Sequence, residues 1–351
     1  MGVAYNSRII TDGLVLALDA ANPKSYPTKN FVSSKIYSSF GSSIRSSNYT
    51  VQYSDDNSNW TTAFTGVASN NTSCGIQQNT GSGSGSYGLH RYWRYVEGSP
   101  IQSHHPRVSR IILTDINGID YNLVVYTSDN CSDTGTYQVG TVSLDFGGTT
   151  WTDLSGNGNT GTLTNGPTYS SANGGSLSFD GSNDYATIEA NSSFQLGNGY
   201  TLCAWVKSNN NPGNYAGICG TFDVIPSAYF GSNFSIQPST QTFYFLVGGS
   251  STYYIPALTT YTIGQWYYLI GTISGAECKF YINGTLNTTY TQPSASSAPG
   301  ATTKFKMGRF YQDTDNFYFN GNIATCKFYN RALSAAEIQQ NFNALRGRFG
   351  I

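Results

Sequence analysis

The stretch that decides the fold is SLSFDGSNDYATIEANSSFQLGNGYTLCAWVK, residues 176–207. Apolar and polar side chains alternate over residues 176–179, turn-forming residues follow at 180–184, and the alternation resumes over 185–188, which predicts two strands joined by a turn. Residues 202–206 are apolar on both faces and predict a strand with no solvated side. Because the chain has almost no helical pattern, we expect a second sheet to cover that strand. The sequence therefore predicts a β-sandwich.

Four further segments follow downstream in a recognisable order. They are GQWYYL at 264–269, KFYING at 279–284, FNGNI at 319–323 and YNRALSAAEI at 329–338. Together with residues 176–207, this ordered set resembles the laminin-G-like, concanavalin-A-like jelly-roll domain. The resemblance implies an all-β, concanavalin-A-like β-sandwich for this part of the chain.

Helical periodicity appears only near the end of the sequence. Ser334 is a suitable N-cap, and Glu337 three residues later completes a capping box. One apolar face before Gly347 collects Ile338, Phe342 and Leu345. The pattern predicts one short C-terminal helix that ends before this glycine.

A displaced motif indicates a discontinuous domain. The apolar strand pattern at 13–18 should be followed almost at once, in the family it resembles, by the segment WTDLSGNGN, which here stands at 151–159. We therefore expect residues 1–30 and 149–351 to form the laminin-G-like domain and residues 31–148 to be an inserted domain. Exposed loops tolerate such insertions because the two ends of a compact domain lie close together.

The insert has strand patterns of its own, at 49–54, 60–66, 91–96 and 107–114. The segment VQYSDDNSNW at 51–60, followed by RYWRY at 91–95, resembles the discoidin, or coagulation factor 5/8 C-type, galactose-binding-like jelly roll. The resemblance implies a second, smaller β-sandwich for the insert.

The charge balance argues against nucleic acid and membrane partners. Lys and Arg number 18 against 19 Asp and Glu, and only 11% of residues are charged, so no basic field attracts phosphate groups. No apolar run is long enough to span a bilayer. The run at 13–18 stands between Asp12 and Asp19 without a preceding basic cluster, so we interpret it as a strand and expect no signal peptide.

The cysteines do not predict a metal site. Six of them stand at positions 74, 131, 203, 219, 278 and 326, without metal-ligand spacing. Cys203, Cys278 and Cys326 lie in apolar strand patterns, which favours small buried side chains. A disulfide between Cys74 and Cys131 stays open.

Catalytic machinery is not indicated. The three histidines, His90, His104 and His105, all belong to the insert, so the laminin-G-like domain has no imidazole for acid–base work. No sequence feature pairs two carboxylates across a cleft, as a glycosidase requires. The parent superfamily includes glucanases with a Glu-x-Asp-x-Glu-like strand, and this chain lacks that pattern. We therefore expect a protein that is not an enzyme.

One oxygen-rich turn has two interpretations. Asp180, Asn183 and Asp184 offer the carboxylate and amide oxygens that calcium prefers, and the family that the domain resembles often carries such an ion. The alternative is that the two carboxylates accept hydrogen bonds from turn amides. Both interpretations stay open at this stage.

Several exposed side chains are candidates for ligand contact. Loops on a rigid scaffold are free to carry such groups, and tyrosine rings can stack on sugars. The stacking candidates are Tyr215, Tyr253, Tyr254 and Tyr311. The polar candidates are Asp313, Asp315, His104, His105 and Arg107. Adjacent residues of a strand point to opposite faces, so at most one of Tyr253 and Tyr254 stacks on a given sugar.

Two segments suggest a biological setting. MGVAYNSRIITDGLVLALDAANPKSYP at 1–27 and YNRALSAAEIQQNFNALRGRFGI at 329–351 are similar to virion structural proteins of tailed marine bacteriophages, particularly those that infect cyanobacteria. The resemblance implies a virion surface protein of the capsid, tail fibre or baseplate, assembled in the host cytoplasm. It also implies a homo-oligomer that contacts other virion proteins.

The function expected from these features is adhesion through lectin-like modules to host-surface glycans or proteins. A purely architectural decoration protein would bind the virion and no glycan. A glycan-degrading enzyme would release sugar from a polysaccharide. Glycan binding and sugar release therefore discriminate the three.

Overall fold

The chain divides into two compact units. The computed structural model describes residues 9–22, 26, 31–39, 47–54, 58–68, 76–82, 92–100, 108–115, 120–124, 142–145, 149–194, 197, 199–225, 228–238, 240–249, 251–292, 303–310 and 317–351. The first unit comprises Met1–Tyr26 with Gly148–Ile351, and the second comprises Pro27–Gly147. The boundaries expected from the sequence, 30/31 and 148/149, lie close to these two division points.

The described strands are numbered in chain order. The first unit begins with β1 (Leu14–Asp19), and the second unit supplies β2 (Phe31–Ser39), β3 (Ser47–Ser54), β4 (Thr61–Ala68), β5 (Ile76–Ser82), β6 (Tyr92–Pro100), β7 (Val108–Asp115), β8 (Asp120–Val124) and β9 (Val142–Asp145). The first unit resumes with β10 (Thr150–Trp151), β11 (Gly161–Thr164), β12 (Thr168–Ser170), β13 (Ser176–Asp180), β14 (Tyr185–Ile188), β15 (Gly199–Ser208), β16 (Ala216–Gly220), β17 (Asp223–Ile225), β18 (Ala228–Phe230), β19 (Ser232–Gln237), β20 (Thr242–Gly248), β21 (Thr252–Pro256), β22 (Trp266–Ser274), β23 (Glu277–Ile282), β24 (Thr285–Thr291), β25 (Phe305–Met307) and β26 (Asn320–Tyr329), and then one helix, α1 (Ala335–Phe349). Short 3₁₀ turns lie at Ala172–Gly174 and Ser192–Phe194.

Two eight-stranded antiparallel sheets form most of the first unit, and β17 and β18 pair as a separate two-stranded sheet. The first sheet has the order β12-β13-β26-β15-β22-β23-β24, with β1 also paired to β26, and the second has the order β10-β11-β14-β25-β16-β19-β20-β21. Side chains from both sheets share one apolar core, for example Leu202 and Ile323 from the first sheet with Phe234 and Phe245 from the second. The predicted β-sandwich is confirmed.

Strand β15 is buried on both faces, as the sequence predicts. The second sheet covers only one of these faces, whereas the sequence led us to expect a sheet as the cover. Leu202 and Val206 belong to the core between the sheets. Cys203 and Trp205 point the other way and pack against α1. The Trp205 ring is stacked 4.1 Å from the Phe349 ring of that helix. A single helix is therefore the third layer of this unit.

Helix α1 begins where its sequence predicts and ends later. The Glu337 backbone N–H donates to Ser334 Oγ over 3.3 Å, and the Ser334 N–H donates to Glu337 Oε2 over 2.9 Å, so the capping box is formed. The helix continues through Gly347 to Phe349 and ends on Gly350, whose φ is 74°. The predicted end before Gly347 was wrong because a glycine inside a helix is tolerated, whereas the left-handed residue that terminates this one comes later.

Cys203, Cys219, Cys278 and Cys326 are buried and form no disulfide, which confirms the interpretation of three of them as small core side chains. Cys74 and Cys131 lie outside the described residues. No helix in the described part of the chain is both long and apolar enough to cross a membrane.

The second unit contains two four-stranded antiparallel sheets, with orders β5-β2-β7-β8 and β4-β3-β6-β9. All four strand patterns expected for the insert correspond to strands, namely β3, β4, β6 and β7. The Phe31 ring from one sheet meets the Trp93 ring from the other edge-on at 5.0 Å, and both side chains are buried. This unit is therefore β-structured with its own apolar contacts.

Candidate functional site

A half-exposed aromatic surface lies on the outer side of the second sheet. Along β20, Phe243, Phe245 and Val247 point into the core between the sheets, so Tyr244 and Leu246, which alternate with them, point outward. Leu246 packs there with Phe222 and Phe310, in an apolar cluster separate from the main core. We call the surface formed by Tyr215, Tyr229, Tyr244, Tyr254, Phe310 and Phe317 the tyrosine face.

Tyr215 lies at the centre of the ring contacts on the tyrosine face. Its ring centroid is 6.4 Å from that of Tyr254, 6.4 Å from that of Phe310 and 6.1 Å from that of Phe317. The Tyr254 side chain is 49% exposed. Two of the four predicted stacking candidates are therefore side by side, and one of them is open to solvent.

The phenol groups of this face are close enough to influence one another. Burial raises the pKa of Tyr254, and the phenols of Tyr215 and Tyr229 raise it further. The Tyr254 hydroxyl, which can donate and accept a hydrogen bond, therefore stays uncharged near neutral pH beside apolar rings.

The segment that contains Arg309 and Phe310 crosses over strand β16 at Gly217, and this crossing places Phe310 on the tyrosine face. A Cβ atom on Gly217 would collide with the backbone of Arg309 and Phe310. The Gly217 and Phe310 N–H groups each donate to the Phe317 carbonyl over 3.1 Å. The Arg309 guanidinium lies over the rings of Tyr185 and Tyr318, 4.7 Å and 5.4 Å from their centroids. Gly217 is thus what permits Phe310 to lie on the sheet.

Tyr253 is not part of the tyrosine face. Ile255, two residues along β21, belongs to the core between the sheets, so Tyr253 shares its side of the strand and Tyr254 takes the other. The Tyr253 ring lies 5.8 Å from that of Tyr290 on β24 of the first sheet. The structure therefore separates two candidates that are adjacent in the sequence.

The turn of Asp180, Asn183 and Asp184 is held by its own carboxylates. Asp180 Oδ1 accepts the N–H groups of Ser182, Asn183 and Asp184 over 2.8, 3.2 and 3.3 Å. Asp184 Oδ2 accepts the Asp180 N–H over 3.1 Å. This is the Asx-turn arrangement. The carboxylates of Asp180 and Asp184 are the charged groups that this turn could offer to a cation. No group of three or more His, Cys, Asp or Glu side chains within the described ranges is placed to hold a metal ion.

The two carboxyl groups of this turn differ in acidity. Burial alone would raise the pKa of Asp180, but the hydrogen bonds from backbone N–H groups lower it below its usual value. Burial and the neighbouring charge of Asp180 raise the pKa of Asp184 to about 6, against one opposing hydrogen bond from the Asp180 N–H. Asp184 therefore titrates just below neutral pH.

The segment at 151–159 served only as a domain marker in the sequence, and its role is structural. The buried Asp153 carboxylate accepts the N–H groups of Ala17, Ser155 and Asn159, each over 2.9 Å. Asn159 Nδ2 donates to the Val15 carbonyl over 2.8 Å. The motif therefore fastens β1 to the chain that returns after the insert. In the sequence, the run of Asp, Ser and Asn residues that follows Trp151 was the feature that could have indicated this hydrogen-bonding role.

The other predicted site residues are Tyr311, Asp313, Asp315, His104, His105 and Arg107, and they lie outside the described residues, as does His90. Their proposed roles stay predictions.

Comparison with known families identifies the fold. Residues 180–339 match the family model Laminin_G_3, described as the concanavalin A-like lectin/glucanases superfamily. The first unit is a concanavalin A-like β-sandwich. In this concanavalin A-like unit, the match runs from the end of β13 into α1 and covers less than half of the whole chain. No curated protein matches the sequence.

Solved structures similar to about half of this chain come from several proteins. One is domain 4 of AbnA, an extracellular arabinanase from Geobacillus stearothermophilus solved with arabinotriose, at 20% identity and a TM-score of 0.46, covering 54% of this chain and 91% of that one. Another is the sialidase of Trypanosoma rangeli with the inhibitor DANA, at 17% identity and a TM-score of 0.45, covering 56% and 31%. A third is the binding domain of Paraclostridial Mosquitocidal Protein 1, at 14% identity and a TM-score of 0.45, covering 55% and 49%. These identities transfer no ligand or residue role to this chain.

Proposed function

We propose that the concanavalin A-like unit is a non-enzymatic, lectin-like module that binds carbohydrate on the tyrosine face. The observation that carries this proposal is the close pair of Tyr215 and Tyr254, the second of which is half exposed. A tyrosine ring offers an apolar surface to the C–H groups of a sugar, and its hydroxyl bonds to sugar hydroxyls. The description of the matched family as lectins and glucanases is compatible with this function.

A glycan array with matched tyrosine variants tests the site. The proposal predicts that Tyr254→Ala and Tyr215→Ala each weaken binding to the recognised glycan by about tenfold or more, since ring stacking contributes on the order of 1 kcal/mol and neighbouring contacts depend on it. Tyr290→Ala is the control, because Tyr290 is an exposed tyrosine on the first sheet. Equal binding by all four proteins would place the site elsewhere, and no binding by the wild type would refute the function.

The proposal includes the absence of hydrolytic activity. Asp180 and Asp184 use their carboxylates to accept backbone amides within one turn, which is a structural role. Incubation of the protein with host polysaccharides should release no reducing sugar. Release that Asp180→Asn and Asp184→Asn abolish would instead establish a glycan-degrading enzyme.

The biological setting that we propose is the surface of a tailed-phage virion, as capsid decoration, tail fibre or baseplate. Its support is the similarity of residues 1–27 and 329–351 to phage structural proteins, and with it we propose contacts with other virion proteins and a homo-oligomeric state. From the resemblance of residues 51–60 and 91–95 we propose a discoidin-like fold for the insert. Immunogold labelling of particles and light scattering of the purified protein test these points. Labelled particles without any glycan binding would indicate a purely architectural protein.

A further inference from the structure

We infer that Asn233 and Ser235 form a hydrogen-bonding floor beneath the tyrosine face and bind hydroxyl groups of an uncharged sugar. This inference rests on the proposed function and names the ligand class and the polar partners of the same site. Neither residue was singled out in the sequence, where SNFSIQ at 232–237 is an ordinary amphipathic strand pattern.

Strand alternation places both side chains under the tyrosine face. Phe234 and Ile236 of β19 belong to the core between the sheets, so Asn233 and Ser235 point to the outer side. In the sheet, Asn233 is paired with Leu246, and Leu246 is paired in turn with Tyr254. Ser235 is paired with Tyr244 on one side and with Gly217 on the other.

Both side chains are covered, and each holds a buried oxygen atom without a hydrogen-bond partner among the described residues. Asn233 is 2% exposed and Ser235 is 0% exposed. In the part of the chain that the structure describes, neither Asn233 Oδ1 nor Ser235 Oγ takes part in a hydrogen bond. A buried polar atom without a partner destabilises a fold, and a bound partner is one explanation for its retention.

Aromatic residues lie on this side of the sheet around the floor. Phe310 passes over Gly217, the strand partner of Ser235. Leu246 is the strand partner of Asn233, and Tyr254 lies one strand further along, paired with Leu246. Tyr215 and Tyr244 are only partly buried. Side chains at a surface change rotamer rapidly and without breaking the sheet, so rotation of Tyr215 and Tyr254 would open a path to the floor.

The chemistry of the face favours an uncharged sugar. Asn233 Oδ1 accepts a hydroxyl, Ser235 Oγ accepts and donates, and the phenols of Tyr215 and Tyr254 do both. The pKa of Tyr254 is raised by burial and by the phenols of Tyr215 and Tyr229. A sugar carboxylate would require a basic partner, and the Arg309 guanidinium is placed over the rings of Tyr185 and Tyr318.

The experiment combines thermal stability without ligand and sugar affinity in the full chain. The variants are Ser235→Ala and Asn233→Leu. The matched control is Ser232→Ala, because Ser232 is buried on the same strand but lies on the same face as Phe234 and Ile236, which point into the core. The probes are lactose, cellotriose and arabinotriose as uncharged sugars and 3′-sialyllactose as the acidic counterpart of lactose, titrated by calorimetry.

We expect Ser235→Ala and Asn233→Leu to melt at or above the wild-type temperature, since each removes a buried polar atom without a partner. We also expect both to weaken binding of the preferred uncharged sugar by about tenfold, which corresponds to the loss of roughly one net hydrogen bond. Ser232→Ala should bind normally, and 3′-sialyllactose should bind no better than lactose.

The possible failures are distinct. If Tyr254→Ala loses binding while Ser235→Ala and Asn233→Leu bind as wild type, the floor is refuted and the proposed function stands. A clear drop in melting temperature for both variants would show that these groups are structural, and preference for 3′-sialyllactose would refute the ligand class. If the wild type binds none of these probes and no glycan on the array, the proposed function fails and the floor fails with it.

Discussion

Asp184 is a buried carboxyl group beside a second carboxyl group, that of Asp180. It is 5% exposed, and burial together with the charge of Asp180 raises its pKa to about 6 from 3.8. Between these two values the folded protein binds a proton on Asp184 more tightly than the unfolded chain does. The contribution of this group to the free energy of unfolding therefore falls as the pH rises from about 4 to about 6.

The pH dependence of Asp184→Asn tests this linkage. The variant has no ionisable group at this position, and its amide oxygen can still accept the Asp180 N–H. We expect its melting temperature to fall less than that of the wild type between pH 4 and pH 7. The control is Glu189→Gln, whose parent side chain forms an exposed ion pair with Lys304. Parallel curves for Asp184→Asn and the wild type would contradict the assignment.

Calcium binding at this turn is the alternative to a purely structural turn, and the protonation of Asp184 makes it testable. Calcium needs Asp184 ionised, because a protonated carboxyl group is a poor ligand. We expect millimolar calcium to raise the melting temperature of the wild type at pH 7.5 but not at pH 4.5, and not to affect Asp184→Asn. An unchanged melting temperature with calcium and with chelator would show that backbone amides alone hold the turn.

Asp153 holds β1 to the segment that follows the second unit in the chain. Its carboxylate is buried and accepts three backbone N–H groups, from Ala17, Ser155 and Asn159. Asp153→Ala would leave these donors without their acceptor, and we expect a loss of about 3 kcal/mol or more in chemical denaturation. The exposed Asn157 provides a control in Asn157→Ala, which should lose about 1 kcal/mol or less. Equal losses would show that the carboxylate is not the centre of the motif.

At the scale of elements, the contact between β15 and α1 is the one that the sequence did not reveal. Trp205 is buried, and its ring stacks against those of Phe349 at 4.1 Å and Tyr268 at 5.0 Å. Trp205→Ala should lower the free energy of unfolding by about 3 to 5 kcal/mol, because a cavity is left between strand and helix. Far-ultraviolet circular dichroism should also show weaker helical signal. A loss no larger than that of the exposed Thr289→Ala would contradict this packing.

At the scale of the whole molecule, the two units have separate sets of sheets. A fragment of residues 27–147 should give a β-type circular dichroism spectrum and a cooperative melt, since its two sheets share the buried contact of Phe31 with Trp93. The complementary protein, with residues 27–147 replaced by a short Gly/Ser linker, should also melt cooperatively. A disordered fragment alongside a folded complement would show that the insert depends on its host.

Local patterns determined the elements of this protein. The alternation at 176–188 and the apolar run at 202–206 predict β13, β14 and β15, because side chains of a strand point to alternate faces whatever the strand later contacts. Ser334 and Glu337 likewise predict the start of α1 from local sequence, because a capping box joins residues only three apart. That Tyr253 and Tyr254 point to opposite faces also follows from the period of a strand.

Tertiary structure alone decided which faces meet. Whether β15 is covered by a sheet or by α1, whether Tyr215 reaches Tyr254, and whether Phe310 lies over Gly217 all depend on pairings between residues far apart in the chain. Asn233 and Ser235 show this most clearly, because an alternating strand normally exposes such residues and here both are buried. The period of a sequence encodes which side chains share a face, whereas the burial of that face is set by long-range packing that local spacing does not contain.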